Sequence, residues 1–324
     1  MNILLDRRFQ KILDHSSIGL FVIVVGTFSL LSPQFFTGQN LVNILIQSSS
    51  IAIIATGMTF VLLTAGIDLS VGSIMFLAGV ISGKMVVAGY PLWLACLIAL
   101  VVGILFGLFN ALFIYRVRIV PFIVTLATFY IGRGLGLLIS ETRAVNLPDS
   151  FLQIGTARIL SIPFPILMLI LVVSTAHIVL SYTPFGSHVY AVGNSIEKSR
   201  KAGLPVNRIL LMVYLICGFC AAIGGLVAIA QLGAISPTFG LQSEFMAIAA
   251  AVLGGASLFG GKGKVFPGTL VGAILIQAIQ SGLVIVNADP YIYPLITGGV
   301  IFLIVMIDSL RHMQELKFRR LRTA

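Results

Sequence analysis

Charge is what this chain has least of. Only 9% of its 324 residues are Asp, Glu, Lys or Arg, against roughly a quarter in soluble globular domains. So few charges cannot cover a globular surface, which excludes an ordinary soluble fold. Cysteine is also scarce: Cys96, Cys217 and Cys220 all lie inside apolar runs. Cys217 and Cys220 have C-x-x-C spacing, but neither a second pair nor a histidine accompanies them, so they read as small core residues. None of His15, His177, His188 and His312 has a partner spaced for metal. No Ser/His/Asp set or carboxylate pair stands out either. The sequence therefore offers no catalytic residue, no metal site and no cofactor site.

What the chain does have is oil: 58% hydrophobic residues and a mean hydropathy of +1.10. The formal net charge is +10, yet the basic residues are scattered between apolar runs with no basic–aromatic patch, which argues against nucleic acid. Arg7, Arg8 and Lys11 precede the first run, which ends in "LLSPQFF" with no small-residue cleavage site. An uncleaved first span is the reading.

A helical span needs about 20 apolar residues. On that basis candidates fall near 17–36, 41–65, 69–88, 91–115, 121–140, 163–182, 209–231, 245–260, 265–286 and 291–308. The fold expected is an all-α polytopic membrane protein of about ten transmembrane helices, a single domain over 1–324 with membrane lipid as its surroundings. Positive charge sets its orientation. With the N-terminus cytoplasmic, ten spans put Arg7, Arg8, Lys11, Arg116, Arg118, Lys198, Arg200, Lys201, Arg208, Lys262, Lys264 and the basic C-terminal residues inside. Only Lys84, Arg133, Arg143 and Arg158 fall elsewhere. Both termini are then cytoplasmic.

One polar island interrupts the oil: "GSHVYAVGNSIEKSRKAGLPVNR", Gly186–Arg208, on the cytoplasmic side between the sixth and seventh spans. Asn194 or Ser195 can cap a helix of about two turns. Glu197 falls in its first turn, Lys198, Arg200 and Lys201 follow, and Gly203 stops it before Pro205. The island either enforces topology or docks something. In "TAGIDLSVGS", Asp68 and Ser70 can cap the third span, or form a cytoplasmic gate or contact surface. "GGASLFGGKGKVFPG" fails as a phosphate loop, because Gly261 stands where Lys is required and Gly263 follows Lys262.

Arg133 lies about twelve residues into the fifth span, where a guanidinium must snorkel, pair or meet water. Glu141 and Glu244 are its candidate partners. Glycines are dense, 33 in all, which predicts close helix packing or a dimer face. A weak similarity links "IAIIATGMTFVLLTAGIDLSVGS" with "MAIAAAVLGGASLFGGKGKVFPGT", suggesting an internal duplication.

Three stretches, "GMTFVLLTAGIDLSVGSI", "FGSHVYAVGNSIEKSRKAGLPV" and "EFMAIAAAVLGGASLFGGKGKVFPGTLVGAI", resemble permease subunits of bacterial ATP-binding-cassette importers for monosaccharides, the ribose, galactose, arabinose, xylose and autoinducer-2 type. The resemblance implies a type II-like importer permease in the bacterial inner membrane, a transport subunit and no enzyme. It implies that 186–208 is a coupling loop docking on a separate ATPase subunit through Gly193, Asn194, Ser195, Glu197, Ser199, Arg200 and Gly203. A periplasmic sugar-binding protein and a second permease, identical or a sister chain, are the other implied partners. Asp68, Ser70, Arg133 and Glu244 are candidates for pathway or gate. The rival reading is a secondary sugar transporter driven by an ion gradient, which would want acids buried mid-span.

Overall fold

The computed structural model describes the backbone of residues 16–323, with most side chains from Leu20 to Leu310. The basic N-terminal residues Arg7, Arg8 and Lys11, with His15, lie outside the described residues. So do the side chains of Arg311, His312 and the basic residues after them.

Helices dominate. α1 is Ser16–Leu31, α2 Gly38–Leu63, α3 Val71–Val87, α4 Leu92–Tyr115 and α5 Pro121–Ser140. A short α6, Asp149–Thr156, precedes α7, Phe164–Tyr182. Then come α8, Pro184–Asn194, α9, Ile196–Lys201, and α10, Val206–Leu232. The chain finishes with α11, Ser243–Leu253, α12, Leu270–Ile285, and α13, Tyr293–Thr323. Thr37 caps α2 by accepting from the Asn40 amide, and Pro121 sits at the start of α5 where its missing N–H costs nothing.

Each of the ten expected segments holds a helix. Among the described residues, seven are long and apolar enough to cross a membrane: α2, α4, α5, α7, α10, α12 with its preceding turn, and Pro290–Leu310. The apolar stretches Gly19–Leu31, Val71–Val87 and Ser243–Leu253 are shorter. The expected eighth segment, 245–260, stops at Leu253 because Gly254 and Gly255 release the chain into a loop. Two two-residue antiparallel ladders qualify the all-α expectation: β1 (Val145–Asn146) pairs with β4 (Ala234–Ile235), and β2 (Arg158–Ile159) with β3 (Ile162–Pro163).

α2 and α10 form the centre, with α10 packed against α4, α2 and α3. α4 crosses α10 at backbone contact. A Cβ on Gly103 would stand 2.3 Å from the Gly218 carbonyl, and one on Gly218 2.1 Å from that of Gly103. Only glycine permits this approach, the small-residue packing expected of helices without a hydrophobic force between them. The opposite face of α4 exposes Trp93, Leu97, Leu105 and Phe109, a surface that suits lipid.

Between α10 and α11 the chain folds back into the bundle. β4 lies at the far end of α10, and the next residues reach Arg133, twelve residues or about 18 Å along α5 from its start. α11 then runs about 16 Å. Its last residues and the 254–264 loop bring Gly254 against Gly268 and Gly261 against Leu63. Irregular backbone inside a membrane protein persists where protein buries it or where it lines a watery cavity.

Candidate functional site

Three polar constructions hold the sequence-predicted site residues, and two of them meet at the first turn of α3. The first is the joint beneath the polar island. Ser195 is the residue that caps α9, its Oγ accepting from the Lys198 amide at 3.2 Å. Glu197 takes an ion pair with Lys201 at 2.7 Å, and Gly203 ends the helix at φ +78°. Glu197, Lys198, Arg200 and Lys201 are exposed, while Ser199 is buried. Gly193 faces the other way: a Cβ there would stand 1.7 Å from the Leu63 carbonyl and 2.6 Å from the Gly261 amide. The Gly261 N–H donates to that same Leu63 carbonyl at 2.9 Å. Beside it the Tyr190 hydroxyl donates to the Gly263 carbonyl at 2.8 Å, and burial pushes the Tyr190 phenol up from its ordinary pKa. The sequence-predicted set thus splits in two. Gly193 packs inward against the end of α2 and the 260–263 turn, and Glu197 and Arg200 point outward.

The second construction surrounds Asp68, in the turn between α2 and α3. Its Oδ1 accepts from the Ser70 amide at 2.9 Å and from the Ser70 hydroxyl at 2.6 Å. Asn110 of α4 donates to Ser70 Oγ at 2.9 Å and accepts from Thr128 of α5 at 2.7 Å. Thr125, one turn earlier, donates to the Ile67 carbonyl at 3.2 Å. Asp68, Ser70 and Asn110 are wholly buried, so the chain of bonds pins the α2–α3 turn to α4 and α5 out of reach of water. Burial raises the Asp68 carboxyl above its ordinary value, and the Ser70 hydrogen bonds pull the other way. Among the described residues, its Oδ2 and the nearby buried Tyr214 hydroxyl have no hydrogen-bond partner.

The third is Arg133. Its side chain is 8% exposed, so it does not reach out to water. The guanidinium donates from one nitrogen to the Phe239 carbonyl and from the other to the Pro237 carbonyl. It also lies 4.2 Å over the Phe76 ring. Glu141 sits exposed in the left-handed conformation that ends α5, while Glu244 feels the charge of Arg133 without forming an ion pair with it among the described residues. A planar fork whose nitrogens are held apart suits the two carbonyls, two residues apart, better than the single nitrogen of a lysine. Arg133 therefore ties α5 to the infolded loop. Glu244, 5% exposed in the first turn of α11, has an Oε2 without a hydrogen-bond partner among the described residues, and that oxygen stands where a Gly72 Cβ would clash with it. Gly72 follows Ser70 by two residues, so the Asp68 cluster and the Glu244 region adjoin through the start of α3.

Sequence reasoning missed Asn110, Thr125, Thr128, Tyr190 and Tyr214. Asn110 was findable as an amide inside an apolar span, and Thr125 and Thr128 as hydroxyls three apart on one helical face. Nothing in the sequence marked Tyr190 as a partner of Gly263.

A family model described as "Branched-chain amino acid transport system / permease component" matches residues 40–307. The ribose import permease protein of Haemophilus influenzae is 36% identical over 92% of this chain and 94% of its own. The D-allose transport system permease protein of Escherichia coli K12 is 35% identical over 90% of this chain and 90% of its own. The autoinducer 2 import system permease protein of Photorhabdus laumondii is 35% identical over 88% of this chain and 85% of its own. No solved structure matches. On the strength of the family match and of these relatives, the chain belongs to the permease-component family of import systems.

Proposed function

We propose that this chain is the membrane permease subunit of an ATP-binding-cassette importer that carries a monosaccharide of the ribose type across the bacterial inner membrane. The observation that carries the reading is the 36% identity to a ribose import permease protein over 92% of the chain. ATP hydrolysis belongs to a separate ATPase subunit, and a periplasmic binding protein delivers the sugar. A second permease, identical or a sister chain, completes the pathway. The chain crosses the membrane ten times with both termini cytoplasmic, and the three short helices count among the ten.

The coupling loop is 186–208. The exposed Glu197, Lys198, Arg200 and Lys201 form the docking face for the ATPase, and Asn194, Ser195, Ser199 and Gly203 shape the helix that presents them. Closure of the ATPase pair pushes on α9. The Gly193 joint supports transmission of that push, because backbone meets backbone there with no side chain to yield. It reaches the end of α2 and the 260–263 turn together. Asp68, Ser70, Arg133 and Glu244 act as gate and pathway residues. Ser70 and Asp68 hold the α2–α3 turn, and Arg133 holds the infolded loop that leads into α11 and Glu244. Access alternates as these elements shift.

Replacing Gly193 and Arg200 by glutamate together tests the coupling role. The double variant should insert into the membrane at wild-type level and lose sugar uptake. Uptake at the wild-type rate would remove the loop from the mechanism.

A further inference from the structure

Between α4, α6, α7 and α10 lies a cavity of about 630 Å³. Along α7 it extends from Phe164 to Val179, fifteen residues or about 22 Å. That exceeds the roughly 15 Å of hydrocarbon in one leaflet. Its walls are almost wholly carbon, with Thr175 the one hydroxyl among them. A sugar entering it would lose its hydration and find almost no partner in return. The cavity is therefore no part of a sugar pathway.

Its length along α7 and its carbon lining suit an unbranched hydrocarbon chain.

A charge outside the lining stands close to one end of the cavity along the backbone. α6 closes that end with Phe151 and Ile154, and the β2–β3 hairpin follows directly. Arg158 pairs across that hairpin with Pro163, next in sequence to the lining residue Phe164. The side chain is exposed, and among the described residues it has no ion-pair partner. It is also one of the few basic residues that the orientation of the spans leaves unexplained. A phosphate near the mouth would give it bidentate hydrogen bonds. We propose that the cavity takes one acyl chain of a membrane phospholipid, whose phosphate rests on Arg158. The lipid fills the space between α7 and α10. Because α7 runs through Thr183 into α8 and the Gly193 joint, it steadies the helix that leads to the polar island.

The full chain would be reconstituted in vesicles of phosphatidylethanolamine and phosphatidylglycerol. These would be doped with a phosphatidylglycerol bearing a photoactivatable diazirine near the end of one acyl chain. A parallel set would carry a free fatty acid with the same group. After irradiation, mass spectrometry would map the adducts. The phospholipid probe should mark Met168, Thr175 and Ile223 well above the lipid-facing Leu105 and Phe109. Thr175→Trp should empty the cavity of adducts and leave those on Leu105. Arg158→Gln should lower cavity labelling by the phospholipid about two- to five-fold, the size of one exposed charge pair, and leave the fatty acid unaffected. Cavity labelling no higher than at Leu105 in the wild type would overturn the acyl site, whatever the variants do. Labelling that ignores Arg158 would overturn the phosphate contact.

Discussion

Replacing Arg133 by leucine removes the tie between α5 and the infolded loop, and the structure sets the size of the effect. Two charge-assisted hydrogen bonds, to the carbonyls of Pro237 and Phe239, disappear. Such bonds contribute about 1.5–3 kcal/mol each. The cation–π contact with Phe76 adds about 2 kcal/mol where water is excluded. Leucine also leaves two carbonyls without partners beside Phe239, itself buried. Against these losses, an isolated buried guanidinium costs several kcal/mol, which the variant recovers. The net destabilisation expected is about 3 kcal/mol, a large fraction of a stability of about 5–15 kcal/mol. The assay is thermal unfolding in mild detergent, paired with protease cleavage within 233–242 and with sugar uptake in vesicles. Arg133→Leu should unfold earlier, open the loop to protease and transport poorly. Arg133→Lys, able to reach one carbonyl at a time, should fall between. A leucine variant as stable, as resistant and as active as the wild type would refute the reasoning.

Gly193→Ala should reduce transport and leave the protein in the membrane, because its methyl group would overlap the Leu63 carbonyl; membrane content and uptake measured together check it, with about 1–3 kcal/mol of overpacking expected. Asn110→Ala breaks the bonds to Ser70 and Thr128 at once and should cost about 2–3 kcal/mol in detergent unfolding. Ser195→Ala removes the cap of α9 and should lower local stability by about 1 kcal/mol, read as faster proteolysis near Lys198. Glu197→Ala breaks only an exposed ion pair and should change unfolding by less than about 0.5 kcal/mol.

Much of the helix layout was legible because hydrocarbon thickness and apolar run length are linked by one rise per residue. α4, α5 and α7 begin within a residue or two of their expected starts, each beside a proline. The eighth segment was overread. Apolar composition continues past Leu253, but Gly254 and Gly255 end the helix there, and hydropathy does not see backbone freedom. α6 and α8 were invisible for a different reason: one is short and lies in a loop, and the other continues α7 after a break at Thr183. At the polar island, cap, acid, base and glycine stop were each readable from local chemistry. The inward role of Gly193 was not, because it depends on Leu63 and Gly261, far off in sequence. Arg133 shows the same limit. Its depth announced a need for partners, but a search for carboxylates missed backbone carbonyls, which any residue can offer.

The central claim is that this chain forms a path through the membrane and that another polypeptide supplies the energy. The direct test is sugar accumulation in proteoliposomes with ion gradients collapsed. The chain would be reconstituted alone, then with its ATPase and binding protein, each with and without ATP. The account predicts uptake only from the complete assembly with ATP. Accumulation by the chain alone, without ATP or companion proteins, would contradict it.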